Sequence, residues 1–176
     1  MADPGLTGIL LVGGTSERFG SPKALAVHCG RTLAEIAWDV LAFCAERIAV
    51  GKAADGLDLP FPLLDDGTEV RAPIAGVVAG LRAAANEVAV ILPVDTPLVR
   101  PASLRALAFA CADAAVSQAG PLPGVYRTST LPAFERALAA GDLSLRGVLA
   151  GLDTLVVELD ESELVNVNTP DDLARI

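Results

Sequence analysis

Short apolar runs alternate along the chain with stretches whose apolar residues recur at helical spacing. Residues 8–12 form a brief apolar run closed by glycine and read as a buried strand. Leu33, Ile36, Ala37, Val40 and Leu41 then follow one helical face, and Thr32 with Glu35 three residues on fits a capping box. Residues 47–50 and 61–64 read as short strands, and Ile74, Val77, Val78 and Leu81 mark a second helix. A fully apolar strand is expected at 88–92, followed by a helix marked by Leu104, Leu107, Ala108 and Cys111. Two short strands at 114–117 and 125–127 are expected, with Pro121 and Pro123 in the turn between them. Helices near 131–139 and 145–149, a strand at 154–159 and a terminal helix from Pro170 complete the pattern.

Strands alternating with helices predict an α/β fold with a mainly parallel sheet covered on both faces. The 176 residues contain no repeat, low-complexity tract or long linker, so a single domain over 1–176 is expected. A chain of this length buries about 70% of the surface that it exposes when unfolded. Hydrophobic residues make up 52% of the sequence, which argues against disorder. No apolar run approaches the roughly 20 residues of a membrane span. The first five residues lack the basic and apolar regions of a secretory leader, so a cytoplasmic protein is expected.

The net charge of −9, from 22 acidic and 13 basic residues, argues against nucleic acid as a partner. A phosphate ligand would have to be held locally, by a few placed groups or by a metal. Three cysteines, Cys29, Cys44 and Cys111, lie far apart without CxxC spacing and read as reduced thiols.

Sheets of this kind bind ligands at the carboxyl ends of their strands. There the first strand runs into "GGTSERFGSPK" (13–23), the third into Asp65-Asp66-Gly67, and the fourth into "PVDTP" (93–97). Glycines let the backbone approach a ligand, consecutive N–H groups can form an anion nest, and Arg18 and Lys23 add positive charge. The loop matches neither the Walker pattern nor the dinucleotide fingerprint. It is a phosphate-binding loop or a plain surface turn. Asp95, held between prolines after a buried strand, is a Mg²⁺ ligand or the N-cap of the next helix. His28, the only histidine, falls in an expected hairpin turn. With no convincing general base, the nucleophile would already be anionic, as a phosphate monoester is.

These segments resemble the MobA-like nucleotidyltransferases, and among them most closely the molybdenum cofactor guanylyltransferases. The family's LAGGxSxRMGxxKAL appears as "LVGGTSERFGSPKAL", and its GPLAGxxxGL as "APIAGVVAGL" (72–81). Its CDTP appears as "VDTP" (94–97), and its NVNTPEDL as "NVNTPDDL" (166–173), in the same order over nearly the whole chain. The resemblance implies a Rossmann-like, three-layer nucleotidyltransferase fold. It implies transfer of GMP from GTP to molybdopterin, with Mg²⁺ as cofactor and release of pyrophosphate. Carried over by motif, Leu11, Val12, Gly13 and Gly14 would line the nucleotide, and Lys23 and Arg18 would hold charge on its phosphates. Asp65 would contact the nucleotide, Asp95 would hold the metal, and Asn166 and Asn168 would lie on the phosphate or acceptor side or cap the helix at Pro170. Departures include Val12 for Ala, Phe19 for Met, Ala72 and Ile74 for Gly and Leu, and Gly51 where a polar side chain is common. The segment 117–121 is short where many relatives carry a longer loop. The alternatives are a transferase of the same fold that moves CMP to molybdopterin or a nucleotide to another phosphorylated acceptor, such as a sugar phosphate, and a regulatory paralogue that only binds nucleotide.

Overall fold

The computed structural model describes residues 3–13, 19 and 22–176, without the side chain of Pro4. In chain order the strands are β1 (Asp3–Leu11), β2 (Val27–His28), β3 (Arg31–Thr32), β4 (Cys44–Gly51), β5 (Leu63–Asp65), β6 (Val88–Pro93), β7 (Ala114–Ser117), β8 (Gly120–Arg127) and β9 (Thr154–Val157). The helices are α1 (Leu33–Val40), α2 (Pro73–Ala83), α3 (Pro101–Ala110), α4 (Leu131–Ala139), α5 (Leu145–Leu149) and α6 (Pro170–Leu173). Seven strands form one sheet in the order β5-β4-β1-β6-β8-β7-β9. Four of its six pairings are parallel; the two that are not both involve β8.

Alternation along the central strands explains the three layers. Leu10, Val90 and Leu92 pack with Leu33, Ala37, Leu104 and Leu107 of α1 and α3. Ile9, Leu11 and Ile91 point the other way, onto Ile74, Val77, Val78 and Leu81 of α2 and Phe134 of α4. A central strand buried on both faces needs a continuous apolar run, and "ILL" and "AVIL" supply it.

Local chemistry sets the element ends. Thr32 and Glu35 form the expected capping box at α1: the Glu35 N–H donates to Thr32 Oγ1 at 3.1 Å, and the Thr32 N–H to Glu35 Oε2 at 2.8 Å. Cys29 and Gly30, at φ 49° and 78°, close the β2–β3 hairpin that the sequence predicts around His28. The glycines of α2 serve close packing. A Cβ on Gly76 would lie 2.9 Å from Leu11 Cδ2, and one on Gly80 only 2.6 Å from Ile9 Cγ2.

Three expectations shift. Pro121 and Pro123 lie inside β8, and Gln118 and Ala119 make the turn. The register jumps from Val116↔Gly124 to Ser117↔Gly120, so the prolines fall in a bulge where no ladder N–H is required. Cys111 is the C-cap of α3 and not part of the helix. β9 stops at Val157, two residues short of the apolar pattern, because β7, which it pairs with, ends at Ser117. No helix among the described residues is long and apolar enough to cross a membrane.

Candidate active site

The site lies at the carboxyl ends of β1, β4 and β6. Val12 N donates to Val50 O at 3.0 Å and Val94 N to Leu11 O at 3.0 Å, which continues the strand register into the loops beyond. Leu11 and Val12 are buried and Gly13 is exposed at the rim. Gly14 and Arg18, both expected in the phosphate loop, lie outside the described residues.

Lys23 opens a 3-10 turn, Lys23–Leu25, just after that loop. Its Nζ lies 3.3 Å from Asp95 Oδ2 and donates to Asn168 Oδ1 at 3.0 Å. Two residues from distant parts of the sequence, Asp95 and Asn168, therefore share the Lys23 ammonium group. Both ends of the ion pair keep partial access to solvent, at 17% and 29% side-chain exposure, so a ligand can reach them.

Asp95 does not cap α3. The N-cap is Arg100, which has no side-chain cap bond, and the cap function comes from Glu163. That carboxylate is buried and accepts from Arg100 N at 3.0 Å and from Ser103 Oγ at 2.6 Å. The same anchor fixes the segment that follows it. Val167 N donates to Asp95 O at 2.8 Å, and the next residue, Asn168, is thereby set beside Lys23. The cap of α6 is likewise made by another residue, the Thr169 hydroxyl in a capping box with Asp172. The Asn168 side chain is thus left for the site. Asn166 is exposed and its side chain makes no hydrogen bond among the described residues, so the structure brings in only one of the two asparagines.

A cavity of about 90 Å³ opens at the carboxyl ends of β1 and β4 on the side of α2, lined by Leu11, Gly13, Gly51, Lys52, Asp66 and Gly76, among others. Pockets that hold a whole drug-sized ligand run to about 300–1,000 Å³. This one takes a part of such a ligand. Gly51 is small for a packing reason, since a Cβ there would sit 2.9 Å from Val12 Cγ2. Asp65 is not among the lining residues. Its carboxylate accepts from Ala53 N at 2.6 Å and Gly67 N at 2.8 Å, and these amides hold its carboxyl below the ordinary aspartate range. Its neighbour Asp66 faces the cavity, paired with Lys52. Neither Lys52 nor Asp66 stands out by motif. Their place at the ends of β4 and β5, at the sheet edge where ligands bind, was the available signal.

A lysine shared by an aspartate and an asparagine, and a cavity nearby, thus lie at the carboxyl edge of the sheet, where α/β folds of this kind bind their ligands. The MobA-like NTP transferase domain matches residues 8–158. The chain belongs to that family. A probable molybdenum cofactor guanylyltransferase of Chloroflexus aggregans is 33% identical over 97% of this chain and 93% of its own length. The molybdenum cofactor guanylyltransferase of Cereibacter sphaeroides is 33% identical over 97% and 94%. Among solved structures, the molybdopterin-guanine dinucleotide biosynthesis protein A of Archaeoglobus fulgidus superposes with a TM-score of 0.83 at 27% identity. That match covers 96% of this chain and 95% of the other. Such family members share the mainly parallel nucleotidyltransferase sheet seen here.

Proposed function

We propose that the protein is a molybdenum cofactor guanylyltransferase, which transfers GMP from GTP to the phosphate of molybdopterin and releases pyrophosphate. The observation that carries this reading is the convergence of Lys23, Asp95 and Asn168 at the ends of β1 and β6, beside a cavity able to take a base. The full-length relatives named as guanylyltransferases support the acceptor and the nucleotide.

In this reaction an oxygen of the acceptor phosphate bonds to the α-phosphorus of GTP, and the bond from that phosphorus to the β-phosphate oxygen breaks. The attacking oxygen is already an anion, so no residue has to take a proton from it. His28 lies in the β2–β3 hairpin with its Nε2 3.3 Å from Cys29 Sγ, and the reaction asks nothing of it. Lys23 stabilises charge as it builds on the phosphate oxygens, where a fixed cation is worth more in the transition state than in the ground state. Asn168 orients Lys23.

Asp95 suits Mg²⁺, a hard cation that prefers oxygen donors. Its carboxylate keeps one oxygen that accepts no hydrogen bond among the described residues, and Asn168 Oδ1 lies on the same lysine. No group of three or more His, Cys, Asp or Glu gathers among the described residues, so Asp95 would share the ion with phosphate oxygens and water. Bound there, Mg²⁺ would neutralise charge on the phosphates and orient them for in-line displacement. A cytoplasmic setting, with GTP at hand, agrees with the three free thiols.

The test is pyrophosphate release by the purified protein with Mg²⁺, molybdopterin and each nucleoside triphosphate in turn. GTP should exceed CTP, ATP and UTP by roughly tenfold to a few hundredfold. Faster turnover with CTP would make it a cytidylyl transferase. GTP binding with no pyrophosphate from any nucleotide would make it a regulatory binding protein.

A further inference from the structure

The cavity contains a pair of charges that the phosphate chemistry does not use. Lys52 and Asp66 both line it, with side chains 10% and 7% exposed, and Lys52 Nζ donates to Asp66 Oδ1 at 2.7 Å. Lys52 Nζ also donates to Thr68 O, and Asp66 Oδ1 also accepts from Thr68 N at 3.1 Å. Asp66 Oδ2 accepts no hydrogen bond among the described residues. It is not sealed in either, because the one fully buried side-chain oxygen or nitrogen without a partner among these residues is Ser117 Oγ. A carboxylate oxygen with spare lone pairs and some access is thus carried by a side chain that lines the cavity.

Burying two charges is costly, and an apolar pair could pin the same loop as well or better. A buried pair that leaves one acceptor open at a ligand cavity has a use beyond pinning. We propose that Asp66 selects guanine, its carboxylate accepting hydrogen bonds from the ring N1–H and the 2-amino group while Lys52 fixes its direction. Guanine alone among the common bases offers two adjacent donors on that edge. Adenine presents a bare N1 and a C–H there, and cytosine presents two acceptors, which would leave the carboxylate facing lone pairs. Asp65, the neighbour that motif alignment singles out, accepts from the Ala53 and Gly67 amides and does not line this cavity.

The proposal rests on the nucleotidyl-transfer reading for the cavity's identity as the base site. It is tested by calorimetric titration of the wild-type protein and of Asp66→Asn with GTP, ITP and XTP. Wild type should bind ITP, which lacks the 2-amino group, roughly tenfold more weakly than GTP. XTP, with a carbonyl at C2, should bind roughly a hundredfold more weakly. In Asp66→Asn the carboxamide can donate to that carbonyl, so XTP should overtake GTP. An unchanged GTP-to-XTP ratio in the variant, or an equal loss for all three nucleotides, would overturn the assignment. If the variant fails to fold, the wild-type comparison still decides, since equal affinity for GTP and ITP would overturn it too. Tight but indiscriminate binding would sink the role of Asp66 alone. No binding of any triphosphate would sink the nucleotidyl-transfer reading with it.

Discussion

Lys23→Ala separates catalysis from stability. The lost ammonium group lies 3.3 Å from Asp95 Oδ2 and donates to Asn168 Oδ1 at 3.0 Å, and its ion pair with Asp95 keeps 17% and 29% side-chain exposure. Ion pairs with that access to water contribute about 0.2–1 kcal/mol, so the fold should lose no more than about 1 kcal/mol. In a chain of this size that is a fall of about 2–4 °C in Tm. The effect on turnover is set by different physics. A fixed cation aimed at charge that grows in the transition state contributes about 2.7–4 kcal/mol, or 10² to 10³ in rate. Pyrophosphate release at saturating GTP and molybdopterin reads the second quantity, and calorimetric melting reads the first. Turnover above half of wild type would refute the phosphate role. So would activity lost together with roughly 10 °C or more of Tm, which would make Lys23 a structural pin.

Asp95→Asn should cut turnover sharply and raise the Mg²⁺ concentration needed, yet bind GTP more tightly than wild type when EDTA removes the cation; unchanged Mg²⁺ titration would refute the assignment. Gly80→Ala should lower Tm by about 3–10 °C, because its Cβ would meet Ile9 Cγ2 at 2.6 Å in the core, and overpacking there costs about 1–3 kcal/mol. A variant as stable as wild type would show that α2 can move off β1. Acid should weaken the fold through Glu35, Asp65 and Asp172, whose carboxyls are held below the ordinary range by the Thr32 amide, the Ala53 amide and the Thr169 hydroxyl. Lowered folded-state values mean that their stabilisation is complete above the unfolded range, near pH 4, and is lost as pH falls through the lowered values. Tm should therefore be flat from neutral pH to about pH 5 and drop below about pH 4, less steeply in Asp65→Asn; a Tm that rises on acidification would refute the sign.

Strands and helices were legible where burial on both faces or a cap fixes them. β6 has to be apolar throughout, and α1 announces its start through Thr32 and Glu35. The β7–β8 region was less legible. Prolines usually mark turns, and nothing in "QAGPLPG" says that a bulge will take them up while Gln118 and Ala119 turn the chain. That outcome depends on β6, on the far side of β8, whose register continues from Val88↔Arg127 to Ile91↔Gly124. Long-range pairing of this sort has no local signature.

For the site, motif and strand-end position located Lys23, Asp95 and Asn168, and the structure adds why they meet. Glu163, buried and bound to Arg100 N and Ser103 Oγ, ties the C-terminal segment to α3, and the bond from Val167 N to Asp95 O completes the link. A buried glutamate in "DESEL" is invisible to pattern reading, because acidic runs are ordinarily solvated. The pairing of Lys52 with Asp66, which the strand-end position of Asp66 alone does not give, was hidden for a related reason. Each looks like a surface charge in sequence, and only the pairing of β4 with β5, which sets Gly51 opposite Asp65, brings them together at the cavity.

Charge explains why the two effects of Asp95→Asn should have opposite signs. On the proposed function a protein of net charge −9 has to bind a triphosphate against its own field, and the described part of the candidate site offers Lys23 with Asp95 already on it. Free GTP would compete with that carboxylate for the lysine and be repelled by it as well. On the proposed function, Mg²⁺ brought in with the phosphates would remove both obstacles, since Asp95 would hold the metal and Lys23 would be left to the phosphate oxygens. On that reading the ion pair would act as a filter that admits the nucleotide with its metal and disfavours it without. Asparagine at position 95 keeps the shape and removes the charge, so it should open the site to bare GTP while depriving the productive complex of its metal ligand.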